Sequence, residues 1–193
     1  MNGYIRSKLF VTNSNNVAQK RINYFIERSN VLAIGSSKYT IRSSDECLTC
    51  HVKSLRKTTI VYDMNKQPQF KFKFNNGLTE KELLISGPEE NDEVMTIPII
   101  NNSSLKTARY NIVFMNKATN TKETLVVVFN FGSTLVSIYC GSEHGALIGK
   151  IKKSSMINMN FELEISPGID KYFMIGLAFC MDKLIQNRKW LAV

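Results

Sequence analysis

Residues 169–186, which read IDKYFMIGLAFCMDKLIQ, decide the fold of this chain. The centre of the stretch, Tyr172 to Met181, is apolar on every side of a helix, a pattern that requires burial in a protein core or in a membrane. A membrane span needs about 20 consecutive apolar residues. Here charged residues flank the shorter run, at Asp170 before it and Asp182 after it. We therefore predict a core helix that the rest of the chain surrounds.

Short β-like runs separated by Asn, Ser, Gly and Asp clusters fill the chain before this helix. Val17–Glu27 fits either a short amphipathic helix or a further strand. The clearest hairpin joins two runs through the turn sequence DMNK at positions 63–66. Its second strand alternates three phenylalanines with Lys71 and Lys73, which predicts one core face and one cationic face. The predicted strands are Lys8–Thr12, Val31–Ile34, Tyr39–Arg42, Leu48–Lys53, Thr58–Tyr62, Gln69–Phe74, Glu82–Ser86, Met95–Ile99, Tyr110–Met115, Glu123–Asn130, Leu135–Cys140, Ala146–Lys152 and Asn158–Ile165.

This order of elements, many antiparallel strands and then one wholly apolar helix, predicts a mainly β fold. A sheet that closes into a wide barrel needs something to fill its lumen, and an apolar helix does so. We expect a closed antiparallel β-barrel wrapped around the C-terminal helix. The 193 residues contain no repeat or Pro/Gly-rich linker, so we expect a single domain over residues 1–193.

Three segments carry a resemblance to a known family. Glu162–Leu184 (ELEISPGIDKYFMIGLAFCMDKL) resembles the last strand and central helix of the tubby-like superfamily, which includes the LURP-one-related proteins and the phospholipid scramblases. Ile60–Lys73 is similar to the early hairpin of that superfamily, and Leu147–Lys153 to its penultimate strand. The resemblance does not extend before Leu48. It implies a tubby-like barrel and a non-enzymatic module that binds phosphoinositide head groups through basic residues of the barrel wall.

The net charge of +9 is the strongest indication of a partner, because such a surface attracts phosphate-rich polyanions. The alternative is that the lysines on the outer faces of the strands only keep the sheet solvated and protect it from aggregation. The candidate phosphate-binding residues form two clusters, Arg56, Lys57, Lys71 and Lys73 in the early hairpin region and Lys150, Lys152 and Lys153 near the end of the barrel.

Two classes of ligand fit this charge equally well. The first is an anionic membrane surface, with phosphoinositides or acidic phospholipids as ligands. The second is structured RNA, as in a ribosome-associated factor that binds rRNA, and lipid scrambling is a third hypothesis. The first 16 residues contain neither a secretory signal nor an anchor, so we expect a cytoplasmic protein without a transmembrane span. We also expect the protein to be monomeric and to be either peripheral to a membrane or associated with a ribosome.

The sequence Cys47-Leu48-Thr49-Cys50-His51 has half of a zinc-site spacing, and Cys140 with His144 completes a possible ligand set. In a regular strand Cys47 and Cys50 would point to opposite faces, which argues against zinc. The chain has two histidines and no Gly-x-Ser-x-Gly sequence. We therefore expect neither a cofactor nor an enzymatic activity.

Overall fold

Alternating apolar and polar residues form the strands of this protein, and the apolar run near its C-terminus forms the helix. The computed structural model describes residues 8–29, 36–53, 58–77, 81–89, 94–104, 106–130, 133–153 and 160–189. Within these residues the elements are β1 (Ile22–Ser29), β2 (Ser36–Arg42), β3 (Cys47–Lys53), β4 (Thr58–Tyr62), β5 (Pro68–Asn76), β6 (Lys81–Ser86), β7 (Met95–Asn101), β8 (Thr107–Asn116), β9 (Thr121–Asn130), β10 (Leu135–Cys140), β11 (Leu147–Lys153), β12 (Phe161–Ile165) and the helix α1 (Lys171–Lys189).

The described strands form a closed antiparallel barrel in which each strand pairs with its neighbours in sequence. Closure comes from β1, which pairs with β12 so that Ile22 lies opposite Ile165. In β8 buried residues alternate with more exposed ones, and the buried apolar residues face the lumen. The predicted barrel is confirmed. Of the ambiguous segment Val17–Glu27, only Ile22–Glu27 forms part of a strand, and the predicted strand Val31–Ile34 lies outside the described residues.

The helix α1 occupies the lumen of the barrel. Every residue from Tyr172 to Asp182 is buried, so all sides of the helix contact strands. Tyr172 stacks on Phe70 of β5 with ring centroids 4.4 Å apart. On β11 the helix approaches so closely that a Cβ added at Gly149 would lie 2.5 Å from the terminal methyl of Met174. The prediction of a core helix is confirmed.

Residues 8–18, which we call the strap, cross the end of the barrel where α1 begins. The predicted strand Lys8–Thr12 is wrong: the strap forms only isolated bridges to residues before the helix, including one between Leu9 and Ile169. A closed barrel offers no free edge for a further strand, so this segment covers the open end instead. Leu9 and Val11 are each 1% exposed, and the strap therefore completes the core.

The carboxylate of Asp170 joins the strap to the helix. Its Oδ1 accepts hydrogen bonds from the backbone N–H groups of Tyr172 and Phe173 at 3.0 and 3.1 Å, which is the geometry of a helix N-cap. Its Oδ2 accepts from the N–H of Val11 at 3.0 Å and from the N–H and hydroxyl of Thr12, both at 2.7 Å. One buried side chain therefore satisfies donors from both ends of the chain.

Candidate phosphate-binding surface

The outer face of β5 carries Lys71 and Lys73, which we call the β5 lysine pair. The intervening phenylalanines are buried, with Phe70 1% and Phe72 3% exposed, so alternation directs both lysines out of the barrel. The turn before β5 fixes this register, because Asp63 Oδ1 accepts from the N–H groups of two turn residues at 2.9 Å each. The predicted hairpin with one core face and one cationic face is confirmed.

Uncharged residues flank the β5 lysine pair on both neighbouring strands. On β4 the register places Ile60 opposite Lys71 and Thr58 opposite Lys73. On β6 the corresponding residues are Ser86 and Leu84. Lys71 Nζ donates a hydrogen bond to the backbone carbonyl of Glu89 at 3.1 Å, a contact with a neutral acceptor. The strand register thus places no carboxylate directly opposite Lys71 or Lys73 in β4 or β6.

The register rows that contain this pair continue across β3 and β2 to further basic positions. Lys53 lies opposite Thr58, in the row of Lys73. Lys38 lies opposite His51, in the row of Lys71. The candidates Arg56 and Lys57 lie outside the described residues. The described register therefore places four lysine positions within two rows that are two residues apart along the strands.

The second predicted cluster is divided by the structure. Lys150 and Lys152 face outward from β11, but the register places Glu164 and Glu162 of β12 directly opposite them. Lys150 Nζ lies 3.8 Å from Glu164 Oε1, and Arg21 Nε lies 3.7 Å from the same oxygen. A carboxylate beside each lysine lowers the local positive potential, and neither β4 nor β6 places such a carboxylate opposite Lys71 or Lys73.

Lys153 does not belong to the exposed surface, contrary to the cluster in which the sequence placed it. Ile151 faces the lumen, and two residues later Lys153 faces the same way with 5% exposure. Its ammonium group forms an ion pair with the carboxylate of Asp182 on α1. This lysine therefore connects β11 to the helix and is unavailable to an external anion.

We expect Lys153→Met to lower the free energy of unfolding by about 3–5 kcal/mol, because it removes the ammonium group that pairs with the buried Asp182 carboxylate. The double change Lys153→Met/Asp182→Leu is expected to recover most of this loss, since it removes both charges. Urea unfolding of the three variants, including Asp182→Leu alone, measures the coupling. Additive effects of the two single changes would contradict a direct pair.

Ionisable side chains also gather at the start of α1. Lys171 Nζ donates to both carboxylate oxygens of Glu46, at 3.1 and 3.3 Å, and Tyr24 donates to the same carboxylate. Burial, and then the hydrogen bond to Glu46, raise the pKa of Tyr24. Burial raises the pKa of Tyr172 to about 12. Both phenols stay protonated at neutral pH, so the group anchors the helix and offers no activated nucleophile.

The candidate zinc ligands do not come together. Cys47 lies on β3 and Cys140 on β10, five strand positions apart around the barrel. His144 is exposed, and its Nε2 lies 4.0 Å from Glu143 Oε1. Within the described part of the chain, no three His, Cys, Asp or Glu side chains are close enough to hold a metal ion. Cys50 lies in β3 with Cys47. The pKa of the Cys140 thiol is raised mainly by burial and to a smaller extent by the charge of Glu123.

Glu162 and Glu164 were not among the candidate site residues predicted from the sequence. They matter because their carboxylates lie opposite Lys150 and Lys152 and reduce the positive potential there. The signal for them was present, because FELEI places glutamates two apart just as GKIKK places lysines two apart. Only the register shows that these two alternations lie side by side.

In the described residues, no helix combines the length and hydropathy that crossing a bilayer requires.

Comparison with known proteins agrees with this architecture. A family model described as LURP-one-related matches residues 22–182, from the start of β1 into α1. The X-ray structure of a protein from Arabidopsis thaliana superposes with a TM-score of 0.60 at 14% identity, covering 92% of this chain and 98% of that chain. At this identity the likeness shows a common fold. No curated protein matches the sequence.

Proposed function

Because this chain belongs to the LURP-one-related family, whose fold supports a binding domain, we propose that it is a non-enzymatic binding protein that holds anionic phosphate groups on the outside of its barrel. The ligands we propose are phosphoinositides or acidic phospholipids at a membrane surface. The observation that carries the proposal is the β5 lysine pair, whose register neighbours on β4 and β6 are uncharged.

Electrostatics favours this pair over the other basic residues. The Cα atoms of two lysines that are two residues apart on one strand lie about 7 Å from each other. Their long side chains let both ammonium groups reach one anionic surface. A lysine near an anionic leaflet contributes about 1 kcal/mol to binding, and its contribution weakens with salt. The net charge of +9 adds a long-range attraction to any such surface.

Flotation with lipid vesicles tests the proposal directly. We expect the protein to float with phosphoinositide-containing vesicles at low salt, to float less as the salt concentration rises, and to remain unbound with neutral phosphatidylcholine vesicles. Equal recovery with both kinds of vesicle would contradict it. Sedimentation of cell extract through sucrose, with and without nuclease, examines the RNA alternative. Nuclease-sensitive sedimentation with ribosomes, together with no vesicle binding, would favour RNA.

We expect Lys71→Ala/Lys73→Ala to weaken vesicle binding by roughly 30-fold, at about 1 kcal/mol for each lysine. The matched control is Lys150→Ala/Lys152→Ala, which removes two lysines at the same spacing from strand β11. Because glutamates lie opposite the control pair, its loss is expected to change the affinity much less. A larger loss in the β11 variant would move the site to the opposite side of the barrel.

A further inference from the structure

A second outer face, formed by β10, β11, β12 and β1, carries charges in a self-complementary order. Its two central strands bear opposite charges, with Lys150 and Lys152 on β11 and Glu164 and Glu162 on β12. Lys152 and Glu162 are both exposed, and the side chains of Lys150 and Glu164 are 37% and 28% exposed. A column of cations therefore runs beside a column of anions.

Large apolar side chains flank the Glu162–Lys152 row of these charges on both sides. Phe25 of β1 lies opposite Glu162 in the register and is 51% exposed. Leu135 of β10 lies opposite Lys152 and is 39% exposed. One row of the sheet therefore reads apolar, anionic, cationic, apolar. We call the six residues Phe25, Leu135, Lys150, Lys152, Glu162 and Glu164 the β11–β12 face.

We propose that the β11–β12 face binds a second copy of this chain. A two-fold axis that lies in the contact plane, parallel to the strands and between β11 and β12, exchanges the two charged columns. It places Glu162 against the partner's Lys152, and Phe25 against the partner's Leu135. A two-fold axis perpendicular to the strands would instead set glutamate against glutamate. The charge pattern thus specifies one orientation of the pair.

The size of the face sets the strength of the association. Four strands about 4.8 Å apart give a contact about 15–20 Å wide, and its two charged rows extend only about 7 Å along the strands. The face therefore covers on the order of 200 Å², well below the roughly 800 Å² per partner of a stable interface. The proposed dimer is therefore weak and concentration-dependent, and it differs from the monomer predicted from the sequence. The strands of the face lie four to six positions from β5 around the barrel, so dimerisation does not cover the β5 lysine pair.

Sedimentation velocity over a range of protein concentrations tests this proposal. For the native chain we expect the weight-average sedimentation coefficient to rise with concentration toward that of a dimer. Glu162→Lys and Lys152→Glu each create like-charge contacts across the axis and are expected to weaken self-association by about tenfold or more. Phe25→Ser is expected to weaken it in the same direction. Lys122→Glu, an exposed change on β9, is the control that leaves it unaltered.

Mixing the two charge variants provides the decisive step. In a heterodimer the introduced lysine faces the introduced glutamate, and the native Lys152 of one chain faces the native Glu162 of the other. We expect the equimolar mixture to recover self-association that neither variant shows alone. A native chain whose sedimentation coefficient does not change with concentration would overturn the proposal. So would a mixture of two folded variants, checked by circular dichroism, that remains monomeric.

Discussion

Ile175→Asp is expected to unfold the protein. Ile175 lies in the buried part of α1 with 0% exposure, and the introduced carboxylate would be surrounded by the barrel. A buried, unpaired charge costs several kcal/mol, in addition to the lost packing of the isoleucine. The sum is comparable to the roughly 5–15 kcal/mol that stabilises a typical domain.

Ile100→Asp is the matched control for this experiment, since Ile100 faces outward from β7 and is 48% exposed. We expect it to cost about 1 kcal/mol or less. Circular dichroism and urea unfolding of both variants make the comparison. If the Ile175 variant kept the native unfolding midpoint, the helix would not be the core of the barrel. A folded variant that only leaves membranes would make α1 an anchor instead.

Asp170→Ala is expected to produce the second large effect, a loss of about 5 kcal/mol or more in the free energy of unfolding. The carboxylate accepts hydrogen bonds from Val11, Thr12, Tyr172 and Phe173. Loss of a helix N-cap alone costs about 1 kcal/mol. Hydrogen bonds to a charged group are worth about 1.5–3 kcal/mol each, and the buried donors of the strap would lose their acceptor as well.

Hydrogen exchange distinguishes this explanation from general destabilisation. We expect the amides of Val11 and Thr12 to lose protection in the Asp170 variant before the barrel strands do, because the strap detaches first. Asp63→Ala is the matched control. It removes another aspartate that accepts backbone N–H groups, but at an exposed turn, and should cost about 1 kcal/mol. Unchanged exchange of the strap would show that Asp170 does not hold it.

The elements that were predictable from the sequence are those whose patterns are local. The strands Thr58–Tyr62 and Leu135–Cys140 have the predicted bounds, because alternation and turn residues are visible within ten positions. The apolar run that forms α1 required no partner to be recognised. The whole barrel followed from the need to surround that helix.

The features that sequence reasoning missed depend on contacts between distant residues. Asp170 meets Val11 across 159 positions, so the strap was interpreted as a strand. Lys153 faces inward because it lies two residues after Ile151 and so on the same face of the strand. In the sequence KIKK at positions 150–153, the two adjacent lysines obscure this alternation. The difference between the two lysine pairs depends on which strand lies beside each, and only the register of β11 with β12 supplies it.

Lysine acetylation with and without vesicles tests the central claim most directly, because it locates the anion on the native chain. Peptide mass spectrometry measures the labelling of each lysine when the protein is free, with neutral vesicles and with phosphoinositide-containing vesicles. We predict that only the phosphoinositide vesicles protect Lys71 and Lys73, while the labelling of Lys150 and Lys152 stays the same. Protection of the β11 lysines, or equal labelling of the β5 lysine pair under all three conditions, would contradict the account.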